Sequence, residues 1–153
     1  MAAVVADTHT AVWYFLTDPR LSAGAKTALD TATAFGDPIF VSSISVVEVT
    51  YLVEKSRLPA LALERLTAAL NDPLSGFVVA GLDLAVAMAV RQIPRNVLPD
   101  LPDRVIAATA LQLNLPLVTR DRRMRAASIE TIRSAIYSRS QNRKIDTARP
   151  TLQ

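Results

Sequence analysis

The sequence predicts an α/β domain: a parallel sheet with helices on both faces. Three observations lead there. Short β-branched runs alternate with longer stretches of helical spacing, the pattern left by strands joined through crossover helices. Half of the 153 residues are hydrophobic, enough to bury one continuous core at this length. No internal repeat interrupts the alternation.

Taken in order, Val4-Val5-Ala6 reads as a buried strand, followed by a helix through Val12, Trp13 and Leu16. Leu21 to Ala34 is Ala-rich with helical spacing and no breaker but Gly24. The turn Gly36-Asp37-Pro38 leads into a second strand, Ile39 to Ser42, and a helix over about Val46 to Lys55. Pro59 opens another helix, which ends near Asn71-Asp72-Pro73. Phe77-Val78-Val79 is a third strand, and Leu84 to Gln92 is helical up to Pro94. A Pro-rich loop, Pro94 to Pro102, precedes a strong helix from Asp103 to Asn114. Leu117-Val118-Thr119 is a fourth strand and Ile129 to Ile132 a short fifth. The organisation expected is one domain over residues 1–133 and a basic tail over 134–153.

Composition removes several chemistries. Without cysteine there is neither a disulfide framework nor a thiolate metal site, and a single histidine, His9, excludes a His-clustered zinc site. Four glycines form no phosphate-cradling loop. Met1 to Asp7 lacks the basic and apolar regions of a signal peptide, and no apolar run reaches the roughly 18–20 residues that span a bilayer. The expectation is a soluble cytoplasmic protein with no membrane contact. The net charge of +3 is uneven: up to Thr119 there are 8 Lys/Arg against 11 Asp/Glu, and from Arg120 onward 9 against 3. A basic end on an acidic body points to a polyanion such as nucleic acid, or simply to a solvated tail.

Four acids stand out: Asp7, Glu48, Asp103 and Asp121, each placed near the start of a helix that follows a strand or loop. Each has a purely structural reading. Asp7 fits an N-cap; Ser45-x-x-Glu48 fits a capping box; Asp103 follows Pro102 in a first turn, where acids suit the helix dipole; Asp121 lies two residues after Thr119, another candidate cap. Topology supplies the alternative. In a parallel sheet these helix starts share the carboxyl edge, where ligand sites form. Carboxylates gathered there stay ionised only beside a cation, and an all-oxygen donor set favours Mg2+ or Mn2+. Such a cluster activates water and neutralises a phosphate under in-line attack, with no nucleophilic side chain required.

The same residues resemble a known family. Val5-Ala6-Asp7-Thr8-His9-Thr10-Ala11-Val12-Trp13 is similar to the opening of VapC-type PIN domains, and Asp18-Pro19-Arg20-Leu21-Ser22 to the turn after it. Val41 to Val49, continuing to Glu54-Lys55-Ser56-Arg57-Leu58, resembles the second motif. Asp100 to Ala110 resembles the third and Leu115 to Asp121 the fourth. The resemblance runs from about Val4 to Ile132. It implies a three-layer α/β/α sandwich with a five-stranded parallel sheet, Mg2+- or Mn2+-dependent endoribonuclease activity, a homodimer, and an antitoxin partner. Asp7 and Asp103 would be the leading metal ligands, completed by Asp121 and Glu48, with Asp100 an accessory acid and Thr8 and Thr119 positioning water or a ligand. One departure is that Thr131-Ile132 is followed by Arg133 where the family commonly has an aromatic.

Around the acids, Arg104, Arg120, Arg122 and Arg123 are candidate contacts to RNA phosphates, with Arg125 in the same basic run. Trp13, Tyr14 and Phe15 read as core and dimer contacts rather than base-stacking platforms, and His9 as structural. Two other functions compete: a catalytically silent PIN module that binds RNA or a protein, and a receiver-like phosphoacceptor. The latter wants a lysine at a late strand end, and Thr119-Arg120-Asp121 has none.

Overall fold

A computed structural model describes residues 2–126. Four short parallel strands form one sheet: β1 (Val4–Ala6), β2 (Ile39–Ser42), β3 (Phe77–Ala80) and β4 (Leu117–Val118), in the order β3-β2-β1-β4. Register pairs Val5 with Phe40 on one side and with Leu117 on the other. The chain steps outward from β1 to β3, then returns past β1 to β4. Strand order therefore reverses between β1 and β4, the crevice where open α/β sheets place ligands. The described residues hold four strands where five were expected; the expected fifth, residues 129–132, lies outside them, as does the basic tail.

Among the described residues seven α-helices connect and flank the strands: α1 (Thr8–Leu16), α2 (Ala23–Phe35), α3 (Ser43–Glu54), α4 (Ala60–Asn71), α5 (Leu84–Ala89), α6 (Leu101–Leu113) and α7 (Arg122–Ala126). Strand alternation sorts the core into two clusters. Val5 packs with Val86 and Ala89 of α5 and with Val105, Ile106 and Ala108 of α6. Val4 and Ala6 point the other way, onto Val12 of α1, Leu29 of α2, Val49 of α3 and Leu66 of α4. Six consecutive residues of α6, Val105 to Ala110, are buried, so this helix is enclosed on all sides. Three of the six are alanines, and their small side chains let neighbouring backbone approach.

Two helix boundaries differ from the sequence reading in ways that matter below. β2 runs into α3 without a loop, and Ser42 is the N-cap, its Oγ accepting from the Ile44 N–H at 3.3 Å. α6 starts two residues early because Asp100 caps it: its Oδ1 accepts from the Asp103 N–H at 3.0 Å. Pro102 fits inside this first turn, where no backbone donor is needed. After α2, Gly36 takes φ +69°, the left-handed conformation that stops the helix and turns the chain into β2.

Candidate active site

Above the carboxyl ends of β1 and β4 lies a cleft of about 500 Å³, lined by Asp7, Thr8, His9, Trp13, Glu48, Asp100, Asp103, Arg120, Asp121 and Met124. All four acids singled out from sequence therefore reach one place, together with Asp100. They come from four separate segments, and each arrives by its own local mechanism.

Asp7 is the N-cap of α1 and is buried. Its Oδ1 accepts from the Thr10 N–H at 2.8 Å, and its Oδ2 accepts from the Thr119 hydroxyl. A backbone hydrogen bond, Asp7 N–H to Val118 O at 3.2 Å, ties the start of α1 to the end of β4. Thr119 also accepts from the Asp121 N–H at 3.0 Å. Asp121 in turn caps α7, its Oδ1 accepting from the N–H groups of Arg123 at 2.7 Å and Met124 at 3.2 Å. Capping and clustering are thus compatible: one oxygen holds the helix start while the side chain lines the cleft.

Glu48 is no part of a capping box. Because α3 begins at Ser43, Glu48 sits in its second turn, too far from the helix start to satisfy an unpaired N–H. Its Oε1 accepts from the Thr8 hydroxyl at 2.7 Å, and Thr8 shares a second hydrogen bond with Ser45 Oγ at 2.9 Å. Burial raises its pKa, opposed by the Thr8 hydrogen bond and reinforced by the charges of Asp100 and Asp7. Thr8 and Thr119 therefore orient carboxylates, a more specific task than holding a ligand directly.

Asp103 is the least compensated acid. It sits in the first turn of α6, and its carboxylate accepts no hydrogen bond among the described residues. Burial, followed by the charges of Asp100, Asp121, Glu48 and Asp7, pushes its pKa up to about 7. No lysine or arginine pairs with any of these acids among the described residues, where the ion pairs are Arg20–Asp18 and Lys26–Asp30. The donor set fits a hard divalent cation: it is all oxygen, and its negative charge is not ion-paired to any lysine or arginine among the described residues. No three of the described acids stand in ready-made metal-ligand geometry.

The basic residues divide. Arg120 lines the cleft. Arg104 does not: its Nε and Nη2 donate to Ile93 O at 3.2 and 3.0 Å, and Nη2 also reaches Val90 O at 3.1 Å. Arg104 thus braces the turn after α5 and is not among the residues lining the cleft. Arg122 and Arg123 are exposed on α7 beside the cleft without lining it. Three further residues line the cleft: Met124, which the sequence analysis did not single out, and His9 and Trp13, which it read as structural and as a core and dimer contact. Met124 is buried against the Thr119 hydroxyl at 3.7 Å. His9 and Trp13 lie one turn apart on α1, and that i, i+4 spacing after a site aspartate was the available signal.

Fold and site together define a PIN domain, and a PIN-domain family model matches residues 4–130. The chain belongs to that family. Within it the chain is VapC-like: over 126 residues it is 33% identical to Ribonuclease VapC22 of Mycobacterium tuberculosis, a match covering 82% of this chain and 92% of the relative. A chain in the crystal structure of VapBC2 from Rickettsia felis bound to a DNA fragment from their promoter superposes with a TM-score of 0.61. That match is 18% identical, covers 82% of this chain and 92% of the other, and speaks for the fold.

Proposed function

We propose that this protein is an Mg2+- or Mn2+-dependent endoribonuclease, the toxin of a toxin–antitoxin pair, hydrolysing RNA phosphodiester bonds with water. The observation that carries the reading is the convergence of Asp7, Glu48, Asp103 and Asp121 on one cleft, where no described lysine or arginine is ion-paired to them. Asp7 and Asp103, with Glu48 and Asp121, would hold the ion. When bound, it would neutralise charge at the phosphate and lower the pKa of a water. The chain's own contribution is positional. The Thr119 and Thr8 hydroxyls hold the carboxylates of Asp7 and Glu48, and Arg120 stands at the cleft to meet a phosphate. The name of the curated relative, a ribonuclease, supports RNA as the substrate.

An antitoxin partner and a homodimer complete the proposal. Val47 and Tyr51 on α3, and Leu84 and Met88 on α5, are exposed apolar pairs one turn apart, which supports a protein-covered surface. No helix among the described residues is long and apolar enough to cross a membrane.

The test is cleavage of a single-stranded RNA by the purified chain with Mg2+, with Mn2+ and after chelation. Cleavage that appears with metal and vanishes in Asp103→Asn supports the reading. Metal-independent cleavage, or RNA binding without cleavage under every condition, refutes it; the second outcome describes a silent RNA-binding module.

A further inference from the structure

The cleft has a second wall that the acid chemistry does not use. His9 and Trp13 on α1 both line it, their ring centroids 5.4 Å apart and their planes inclined by 50°. The guanidinium carbons of Arg20 and Arg120 lie 5.4 and 5.8 Å from the Trp13 ring centroid, within cation–π range. These two arginines are not equivalent. Arg20 is held by Asp18 through two hydrogen bonds, at 2.7 and 3.0 Å, so its charge is largely spent. Arg120 has no carboxylate partner among the described residues, and its Nη1 donates to Arg20 O at 2.9 Å.

The aromatic run on α1 is thereby split. Tyr14 donates to Asp30 at 2.9 Å, and Phe15 packs on Phe77 with centroids 4.6 Å apart, so both serve the core. Trp13 packs against the same core but also lines the cleft, and its indole N–H is buried with no acceptor among the described residues. The ring is kept in place by packing and by the flanking cations, while its own polar group is unused.

We propose that Trp13, with His9, is a stacking platform for a nucleobase of single-stranded RNA lying next to the acids, and that Arg120 meets an adjoining phosphate. This rests on the ribonuclease reading of the acidic site. Asp7 and Trp13 belong to the same helix, six residues apart, so the platform stands about 9 Å along the helix axis from the acid. A rigid spacer of that size sets which base is stacked when a given phosphodiester faces the carboxylates. Stacking accepts any base, because every base has a π-face, and it needs the base out of a duplex. The platform therefore selects single-stranded RNA and leaves base identity to other contacts.

Trp13 is the sole tryptophan in the chain, so intrinsic fluorescence reports on it alone. The full chain carrying Asp103→Asn, which keeps RNA uncut, is titrated with a single-stranded oligoribonucleotide and with an abasic oligomer of the same sugar–phosphate length. The base-bearing RNA is expected to quench the emission and to bind about tenfold more tightly than the abasic one. Equal affinities, or RNA binding that leaves the emission unchanged, overturn the platform. In the cleaving wild type, Trp13→Phe should keep KM within about threefold and Trp13→Leu should raise it about tenfold with kcat little changed. A Trp13→Leu protein that melts like wild type and retains its KM also overturns the platform. If the wild-type chain cuts RNA while these results fail, the platform alone is wrong. If it neither binds nor cuts RNA, the ribonuclease reading fails and the platform with it.

Discussion

At the ends of β1 and β4, the Asp7 carboxylate is fully engaged: one oxygen caps α1 through the Thr10 N–H, and the other takes the Thr119 hydroxyl. At the start of α6, the Asp103 carboxylate takes no hydrogen bond among the described residues, and burial and four neighbouring acids raise its pKa to about 7. One site thus contains an aspartate the fold needs and an aspartate the fold tolerates. The first contributes to stability as it lines the cleft. The second carries an electrostatic cost that a bound cation would remove, so it is the clearer mark of function.

The sharpest way to break this comparison is to remove each carboxylate in turn. Asp7→Ala and Asp103→Ala should both abolish RNA cleavage. Their effects on the metal-free fold should be opposite in sign. Asp7→Ala loses an N-cap, costing about 1 kcal/mol, or roughly 2–4 °C in melting temperature. Asp103→Ala relieves repulsion and should melt no lower than wild type, and higher above pH 7. Equal losses of stability would show that the two aspartates do the same work.

Glu48 comes next. Since it caps nothing, Glu48→Gln should leave the melting temperature close to wild type. It should lower activity or metal affinity by tenfold or more, about 1.4 kcal/mol, as read by Mg2+ titration of cleavage. Unchanged metal dependence would remove it from the site. Thr119→Val and Thr8→Val probe the hydroxyls that orient Asp7 and Glu48. Each should weaken metal affinity by about tenfold, the scale typical of groups that support metal ligands. Metal affinity at the wild-type level would leave those hydroxyls with capping and packing alone.

Asp103 also sets a pH signature. Its folded pKa, about 7, lies above the ordinary value of 3.8. Between these values the folded chain binds more protons than the unfolded one, so stability falls as pH rises. The metal-free protein should therefore lose stability from about pH 4 to 7, and the Asp103→Asn variant should lose less over that window. Parallel melting curves for the two proteins would contradict the assignment. The smallest effect is expected at the basic end. Deleting residues 134–153 should weaken RNA binding modestly and flatten its salt dependence without moving the cut, because phosphate contacts carry no base readout. Arg122→Ala with Arg123→Ala should reduce cleavage more than the deletion does.

Much of the site was legible because its acids follow strand ends, and a parallel sheet collects strand ends at one edge. Asp7 and Asp121 follow that logic directly, whereas Asp103 comes after α5 and the Pro-rich loop, at the start of α6. Glu48 was legible as an acid with two readings, a capping box and a place in the acidic site, and the helix start decides against the first. The Ser45-x-x-Glu48 spacing imitates a capping box, and only the direct passage of β2 into α3 moves the helix start back to Ser43. Arg104 adjoins Asp103 in sequence but does not line the cleft beside it: its guanidinium donates to the carbonyls of Val90 and Ile93, which only the folded chain brings near. Trp13 was hidden among three consecutive aromatics, because which of them faces a cleft depends on how α1 rests on its neighbours. The four described strands lay where β-branched runs placed them, but the helix starts at Ser43 and Leu101 depended on caps at Ser42 and Asp100 that compete with other serines and aspartates nearby.

The central claim is that the clustered acids of the cleft form a divalent-cation site. A crystal of the wild-type chain soaked in Mn2+, read by anomalous scattering, tests it most directly. The account predicts a manganese peak in the cleft bound by Asp103 and Asp7, with Glu48 or Asp121 nearby. A cleft without manganese, at a Mn2+ concentration that supports RNA cleavage in solution, would contradict it.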